Sequence, residues 1–240
     1  LVIPLTDYDL ELLAKHKQKF KKNNCDILVS SYKLVKILLN KKLTYLECKK
    51  KNILTPNIWL NIKNFKKNNY KKLVVKKYIF GSASKGFLVL DSHSKYGQFK
   101  KGRDLLQEHI NGKELHFDIL NDFNGNFVAA CVKQKILMRA GETDKAITTY
   151  KKSYINIAKK VSNLLKHVGN LDCDVIEDKK GRLYWIDFNP RFGGGYPFTH
   201  LSGYNFLKAI IDLKMKKKVS FSKRPRLVKV SKGISAHLSN

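Results

Sequence analysis

Apolar positions follow two regimes along this chain. In residues 7–24 and 31–39 they recur at helical spacing, with Leu10, Leu13 and Ala14 on one face of the first segment. Asp7 stands where an N-cap is expected, and Asn23-Asn24 ends that helix. Residues 26–30 (DILVS) read as a buried strand and residues 1–5 as a shorter one. Alternating strand and helix is how an α/β layer with a parallel sheet begins. A helix over 44–51 closed by Asn52 and an extended segment over 56–60 follow. After Asn61 the pattern shifts to short strands over 73–80, 86–90, 115–120 and 127–132, with Asn124-Gly125 as a hairpin signal. A long amphipathic helix is expected over 145–167, carried by Ala146, Ile147, Tyr150, Tyr154, Ile157, Ala158, Val161, Leu164 and Leu165. Residues 175–176 and 183–186 read as strands around an Asp178-Lys179-Lys180-Gly181 turn, and 206–213 as a last helix. Little structure is expected beyond Lys214, and no internal repeat is present.

The densest chemistry lies in the run Trp185-Ile186-Asp187-Phe188-Asn189-Pro190-Arg191-Phe192-Gly193-Gly194-Gly195. Asp187 and Asn189 interrupt an apolar strand and share one face, because side chains alternate along a strand. Pro190 ends the strand, and Arg191 with three glycines puts a fixed cation beside backbone that a ligand can approach. Carboxylate, amide and guanidinium suit a metal-bound polyphosphate. An even-membered turn around Lys180-Gly181 would place Asp172 and Asp174 on the face of Asp187 and Asn189. An odd one would place Cys173 there, a poor partner for a hard cation.

Weaker signals lie upstream. Phe80-Gly81-Ser82-Ala83-Ser84-Lys85-Gly86-Phe87 joins strand to strand and has Phe87 where a Walker loop needs lysine, so it is not a P-loop. It reads as a flap whose backbone N–H groups, at Gly81, Ser82 and Ser84, could cover phosphates. Lys76 stands in an apolar strand and needs an anionic partner if buried; Lys77 would face the other way. Gln107-Glu108-His109-Ile110 leads through a tight turn to Gly112 and Glu114, exposed backbone that could read a base edge with a carboxylate nearby for ribose. The histidines, His109 and His116 among them, lack a nucleophile signature and read as surface or packing residues.

Composition adds limits. The hydrophobic share of 43% and 11% aromatic residues indicate a folded globule, and no apolar run is long enough to span a membrane. Cys25, Cys48, Cys131 and Cys173 show neither metal nor disulfide spacing and read as reduced cytosolic thiols, so a cytoplasmic protein is expected. The net charge of +29 is almost all Lys, with six Arg, and no nucleic-acid module accompanies it. A lysine-filled solvated surface plus a phosphate site accounts for it, and nucleic acid is the disfavoured partner. Leu1 is not an initiator Met, and the chain opens directly in a strand-like run, as the later part of a longer protein would.

Taken in order, these pieces resemble the ATP-grasp superfamily, and within it the carbamoyl-phosphate-synthase-like, carboxylate–amine ligase branch. Asn40-Lys41-Lys42-Leu43-Thr44 resembles the start of the ATP-grasp region, and Asn52-Ile53-Leu54-Thr55-Pro56 a segment that follows it. Lys76 matches a phosphate-binding lysine, 81–86 the flap, and 107–114 the hinge; Asp187-Phe188-Asn189-Pro190-Arg191 matches Glu-x-Asn-Pro-Arg, with aspartate for the commoner glutamate. The resemblance implies an α+β ATP-grasp fold, two α+β subdomains clasping ATP, preceded by a partial α/β segment. The divisions expected are 1–39 for that segment, 40–112 and 113–215 for the small and catalytic subdomains, and 216–240 for an extension. It implies ATP bound by Lys41, Lys76, Gly81, Ser82, Ser84, Glu108, Ile110 and Glu114. Asp174, Asp187 and Asn189 would hold Mg²⁺, with Mn²⁺ an acceptable substitute, and Arg191 and Lys76 would neutralise charge during transfer. Arg139, beside Gly141-Glu142, is the candidate for gripping a substrate carboxylate bidentately. The implied reaction activates a small-molecule carboxylate as an acylphosphate and passes it to an amine. Phosphorylation of a carboxylate without an amine acceptor, a non-catalytic ATP-binding module and a basic nucleic-acid-binding protein are the alternatives. A homodimer is compatible with all of these.

Overall fold

The two regimes of the pattern become two antiparallel sheets flanked by helices. The computed structural model describes residues 1–62, 65, 74–81, 86–90, 99–139 and 141–233. Helix α1 (Asp7–Lys22) has Thr6, not Asp7, at its N-cap, and buries Leu10 and Ala14. Helix α2 (Tyr32–Leu38) is capped by Ser31, whose side chain accepts from Leu34 N, and α3 (Lys41–Lys50) by Asn40, which accepts from Leu43 N. The expected parallel sheet at the start is reduced to one parallel bridge, Val2 to Ile27. Pro4 carries no N–H with which to extend it.

The smaller sheet has the order β1-β4-β2-β3, from β1 (Ile58–Trp59), β2 (Val74–Tyr78), β3 (Leu88–Leu90) and β4 (Asp104–Glu108). The larger has the order β10-β7-β6-β5-β8-β9. Its strands are β5 (Gly112–Asn121), β6 (Phe127–Arg139), β7 (Glu142–Thr149), β8 (Gly169–Asp178), β9 (Leu183–Asn189) and β10 (Lys229–Ser231). The helix expected over 145–167 divides: Lys145, Ala146 and Ile147 lie in β7, and α4 (Lys152–Leu165) begins later. Pairing on both sides decides this, since β7 lies between β6 and β10 and ends in two β-branched threonines. The chain past Lys214, expected to carry little structure, thus supplies an edge strand. Helices α5 (Tyr196–Leu201) and α6 (Phe206–Lys214) follow the glycine run.

Alternation gives the larger sheet two unlike faces. Phe117 and Ile119 of β5, Val132 of β6, Cys173 and Val175 of β8, and Trp185 and Phe188 of β9 pack on Tyr154, Ala158, Val161 and Leu165 of α4. The intervening positions, His116, Asp118, Lys133, Lys135, Asp172 and Asp174, turn their charges to the opposite face, and the site is built there.

One buried group on this frame gives a pH-dependent stability. His167 is fully buried, with Nε2 3.1 Å from the Ile119 carbonyl, and Asn121 Nδ2 donates to its carbonyl at 2.9 Å. Burial pushes the imidazole down from 6.5 to about 4. The folded state therefore binds fewer protons than the unfolded one, and stability is lost as pH falls from about 6.5 toward about 4. The full contribution is roughly 3 kcal/mol. Urea unfolding at pH 7 and pH 5 should show this fall in the wild type and a shallower one in His167→Gln.

Candidate active site

The β8–β9 hairpin aligns the acids by a route other than turn parity. Five residues, 178–182, separate the paired Glu177 and Leu183, an odd number. Asp178 closes the turn, its Oδ1 accepting from Lys180 N and Arg182 N at 2.9 Å each, and Gly181 takes the left-handed φ of 75°. Continued in that register, Cys173 would oppose Asp187. Instead Val175 pairs with Trp185 and Asp174 with Asp187, leaving Ile186 as the extra residue of a β-bulge. The bulge lets Trp185 and Phe188 both enter the core while Asp187 and Asn189 face outward, opposite Asp174 and Asp172.

One lysine contacts Asp187 and a second acts on it electrostatically. Lys41, at the first turn of α3, reaches its Oδ2 at 3.1 Å and Oδ1 at 3.3 Å, and donates to the Gly81 carbonyl at 3.0 Å. The second is Lys77, not Lys76. Lys77 pairs with Leu105, which lines a narrow cleft with Lys41, Gln107, Ile186 and Asp187. Lys76 pairs with Leu106, which packs with Phe65 and Leu90 on the other face, and its charge acts on Asp104. Burial lowers the Lys77 ammonium to about 8, against the attraction of Asp187. The same one-residue parity separates Gln107, which lines the cleft, from Glu108, which does not.

Beneath Asp174 lies a buried network of charge. Lys133 is bound to Asp118, and also donates to the Gly195 carbonyl and Thr199 Oγ1 at 3.0 Å each. Burial alone would raise the Asp118 carboxyl, but Lys133 and His116 outweigh it and hold it well below the usual range. His116 sits between acids, Nδ1 3.3 Å from Asp174 and Nε2 3.0 Å from Asp172, the latter off the axis of a hydrogen bond. Burial would lower its imidazole, but Asp172, Asp118 and Asp174 together raise it. Lys135 reaches Asp174 at 2.7 Å. Burial raises Asp172 despite the neighbouring His116. The glycine run closes over these groups: a Cβ at Gly193 would stand 1.3 Å from Asp172 Oδ2, so only glycine lets the backbone pass. His116, expected at the surface or in packing, is thus a buried member of the site face. The period-two polar positions Glu114, His116, Asp118 and Lys133, Lys135 in otherwise apolar strands were the readable signal.

The remaining expected residues are distributed unevenly. Arg191 is tied up by carboxylates, Nε and Nη2 on Asp7 at 2.8 and 3.1 Å and Nη1 on Asp172 at 3.0 Å. It therefore bolts the start of α1 to the site and is not an unpaired cation. Glu108 is also engaged, its Oε2 accepting from Asn57 Nδ2 at 2.9 Å while its N–H donates to the Asn57 carbonyl at 2.8 Å, which removes that N–H from any base contact. Ile110 is half-buried between β4 and β5, and Glu114 is exposed on the face of His116, where its charge acts on Lys135. Arg139 is not brought to the acids. It pairs with Asp144 at 2.9 Å near the tip of the β6–β7 hairpin, four residues beyond Lys135, or about 13 Å along the strand. Ser82 and Ser84 lie outside the described residues.

Two donor sets could hold a cation. His116, Asp172 and Asp174 place ligand atoms within 4.8 Å of one another. A ring contacted by carboxylates at both nitrogens serves them better as an imidazolium than as a ligand. Asp174, Asp187 and Asn189 offer hard oxygens suited to Mg²⁺. The Asp174 side chain is 39% exposed, and Asn189 turns its Nδ2 to the Asp172 carbonyl at 3.5 Å. The second set fits such an ion.

Comparison with known proteins agrees with this architecture. No curated protein sequence matches the chain. A biotin carboxylase of Campylobacter jejuni, solved as a β,γ-ATP complex, superposes with a TM-score of 0.76 at 12% identity, over 94% of this chain and 56% of that one. An L-amino acid ligase of Bacillus licheniformis gives 0.67 at 20% identity, over 88% and 55%. The N5-carboxyaminoimidazole ribonucleotide synthetase of Thermotoga maritima gives 0.66 at 18%, over 86% and 57%. The chain thus spans little more than half the length of these three structures, and the likeness establishes the fold. Among the described residues no helix is long and apolar enough to cross a membrane. The family profile for the ATP-grasp domain matches residues 38–195, most of both sheets and the whole acidic hairpin, and the chain belongs to the ATP-grasp family.

Proposed function

We propose that this chain is the nucleotide-binding and catalytic part of an ATP-dependent ligase that activates a carboxylate as an acylphosphate and transfers it to an amine. The observation that carries this reading is the contact of Lys41 from α3 with Asp187, which faces Asp174 across the β8–β9 pair, with Lys77 of β2 on the same cleft face. Phosphoryl transfer asks mainly for positioning and charge neutralisation, and this cleft holds both signs of charge in fixed places. Asp174, Asp187 and Asn189 would hold Mg²⁺, or Mn²⁺ in its place, which when bound neutralises the terminal phosphates. Lys41 and Lys77 would take phosphate oxygens. Lys77 replaces Lys76 in this role because of its face. Arg191, held by Asp7 and Asp172, acts by fixing the strand end and the glycine run. Ile110, Glu114 and the Glu108 carbonyl remain the candidates for base and ribose. Substrate identity and the subdomain limits at 112 and 215 belong to this proposal as well.

The test is thermal unfolding with a non-hydrolysable ATP analogue, with and without Mg²⁺. Ligand at about one hundred times its Kd contributes roughly 2.7 kcal/mol, which for a chain this size raises Tm by about 5–10 °C. Phosphate release from ATP across a panel of carboxylates, each alone and with amines, then separates a ligase from a carboxylate kinase. A folded protein whose melting ignores the nucleotide in Mg²⁺ would sink the reading.

A further inference from the structure

Each acid that would hold the metal already has an ammonium beside it. Asp187 has Lys41 at 3.1 Å, with Lys77 acting on it as well, and Asp174 has Lys135 at 2.7 Å. Lys135 was singled out by no motif. It points from the centre of β6 to the site face, with a side chain only 8% exposed, while Asp174 beside it is 39% exposed. Glu114 and Asp172 add to the attraction that holds its charge there. A divalent ion approaching from solvent would meet Asp174 on its open side and Lys135 on its buried side.

We propose that Lys135 is a positioning cation of the nucleotide site, one that pairs with Asp174 and turns to a polyphosphate oxygen when a metal ion takes that carboxylate. This rests on the reading of the cleft as a metal–nucleotide site. A bare divalent ion placed on Asp174 and Asp187 would leave Lys41, Lys77 and Lys135 facing it as like charges in a poorly solvated space, an arrangement that costs free energy. A polyphosphate arriving with the ion supplies the oxygens those ammonium groups lack. Metal and nucleotide are thereby coupled through the lysines, each favouring the other by the same factor. The flexible four-carbon stem of lysine permits such an exchange, where a planar guanidinium would be held to one carboxylate geometry. Lys135 thus opposes the metal alone and favours the metal with its nucleotide.

The sign of the effect is the test. Mn²⁺ affinity is measured by calorimetry on wild type, Lys135→Met and Lys135→Gln, first alone and then in the presence of a non-hydrolysable ATP analogue. The expected result is that both variants bind Mn²⁺ alone more tightly and the Mn²⁺–nucleotide pair more weakly, so that the coupling between metal and nucleotide falls by about 5- to 150-fold in all, the range usual for coupled sites. Unfolding of the unliganded variants checks that the fold is retained, and two variants of different polarity guard against loss of one. Variants that weaken or leave unchanged the affinity for Mn²⁺ alone would overturn the exchange while the cleft remains a nucleotide site. A wild type that binds no nucleotide with Mn²⁺ would overturn the underlying reading and this inference with it.

Discussion

Lys133→Met is expected to cost about 3–5 kcal/mol of folding stability, the range for breaking a buried ion pair from one side. Lys133 is 1% exposed and Asp118 fully buried, and the ammonium also ties the Gly195 carbonyl and Thr199 to the sheet. Methionine fills much of the same volume, so the loss comes from the carboxylate left behind and not from a cavity. His116 and the Asn170 amide, 3.5 and 3.3 Å from Asp118 Oδ1, compensate it only in part. The cost should depend on pH in a defined direction. In the wild type Lys133 and His116 hold the Asp118 carboxyl far below its ordinary value against the effect of burial; in the variant burial prevails and the group is protonated more easily. Destabilisation is then greatest at neutral and alkaline pH and smaller in mild acid. Adding Asp118→Asn to Lys133→Met removes the stranded charge and should recover a large part of the loss, a non-additivity that a double-mutant cycle measures. Equal destabilisation at pH 5 and pH 8, with no recovery in the double variant, would show that packing and not charge holds this face together.

How much of this was legible in the chain follows from what each signal depends on. The acidic hairpin was legible because Asp187 and Asn189 break an apolar strand, and its neighbours Asp172 and Asp174 are spaced by two. Its mechanism was not: parity counted from the turn predicts Cys173 opposite Asp187, and only the bulge at Ile186 restores the acid pair. A bulge answers to both faces at once, placing Trp185 and Phe188 in the core and Asp187 outside, and no local propensity announces it. Lys76 and Glu108 lie on the expected strands but on the face turned away from the Asp187 cleft, because which face of the smaller sheet is covered depends on β9, a strand far along the chain. Arg191 was legible as a fixed cation, but its main partner, Asp7, comes from the opposite end of the chain. The segment 145–149 reads as helix from its apolar spacing and becomes a strand because β6 and β10 pair on either side of it. Local pattern identified chemistry and most strands, while registers, faces and distant partners were set by contacts that it does not contain.

The parity of β2 carries the second large effect. Lys77→Met should weaken metal-dependent nucleotide binding by about 10- to 150-fold, the worth of one charge-assisted contact of roughly 1.5–3 kcal/mol, while Lys76→Met should change it by no more than about threefold. Fluorescence or calorimetric titration of both variants decides between the two faces. The pair should also differ without ligand. Lys77 is nearly buried, and burial already lowers its ammonium to about 8, so exchanging it for methionine removes a desolvated charge and leaves Asp187 with Lys41. Unliganded stability is then expected to stay level or rise as binding falls, the trade found where a site holds strained charge. Lys77 also predicts a pH profile. A phosphate partner favours the charged ammonium, so the bound-state value lies above the free one, and affinity weakens as pH rises past about 8. That alkaline loss should be present in wild type and Lys76→Met and much reduced in Lys77→Met. If Lys76→Met proved the damaging substitution, the register that turns Lys77 toward Asp187 could not describe the working cleft, and the placement of the phosphate chain would have to move to the opposite face of the small sheet.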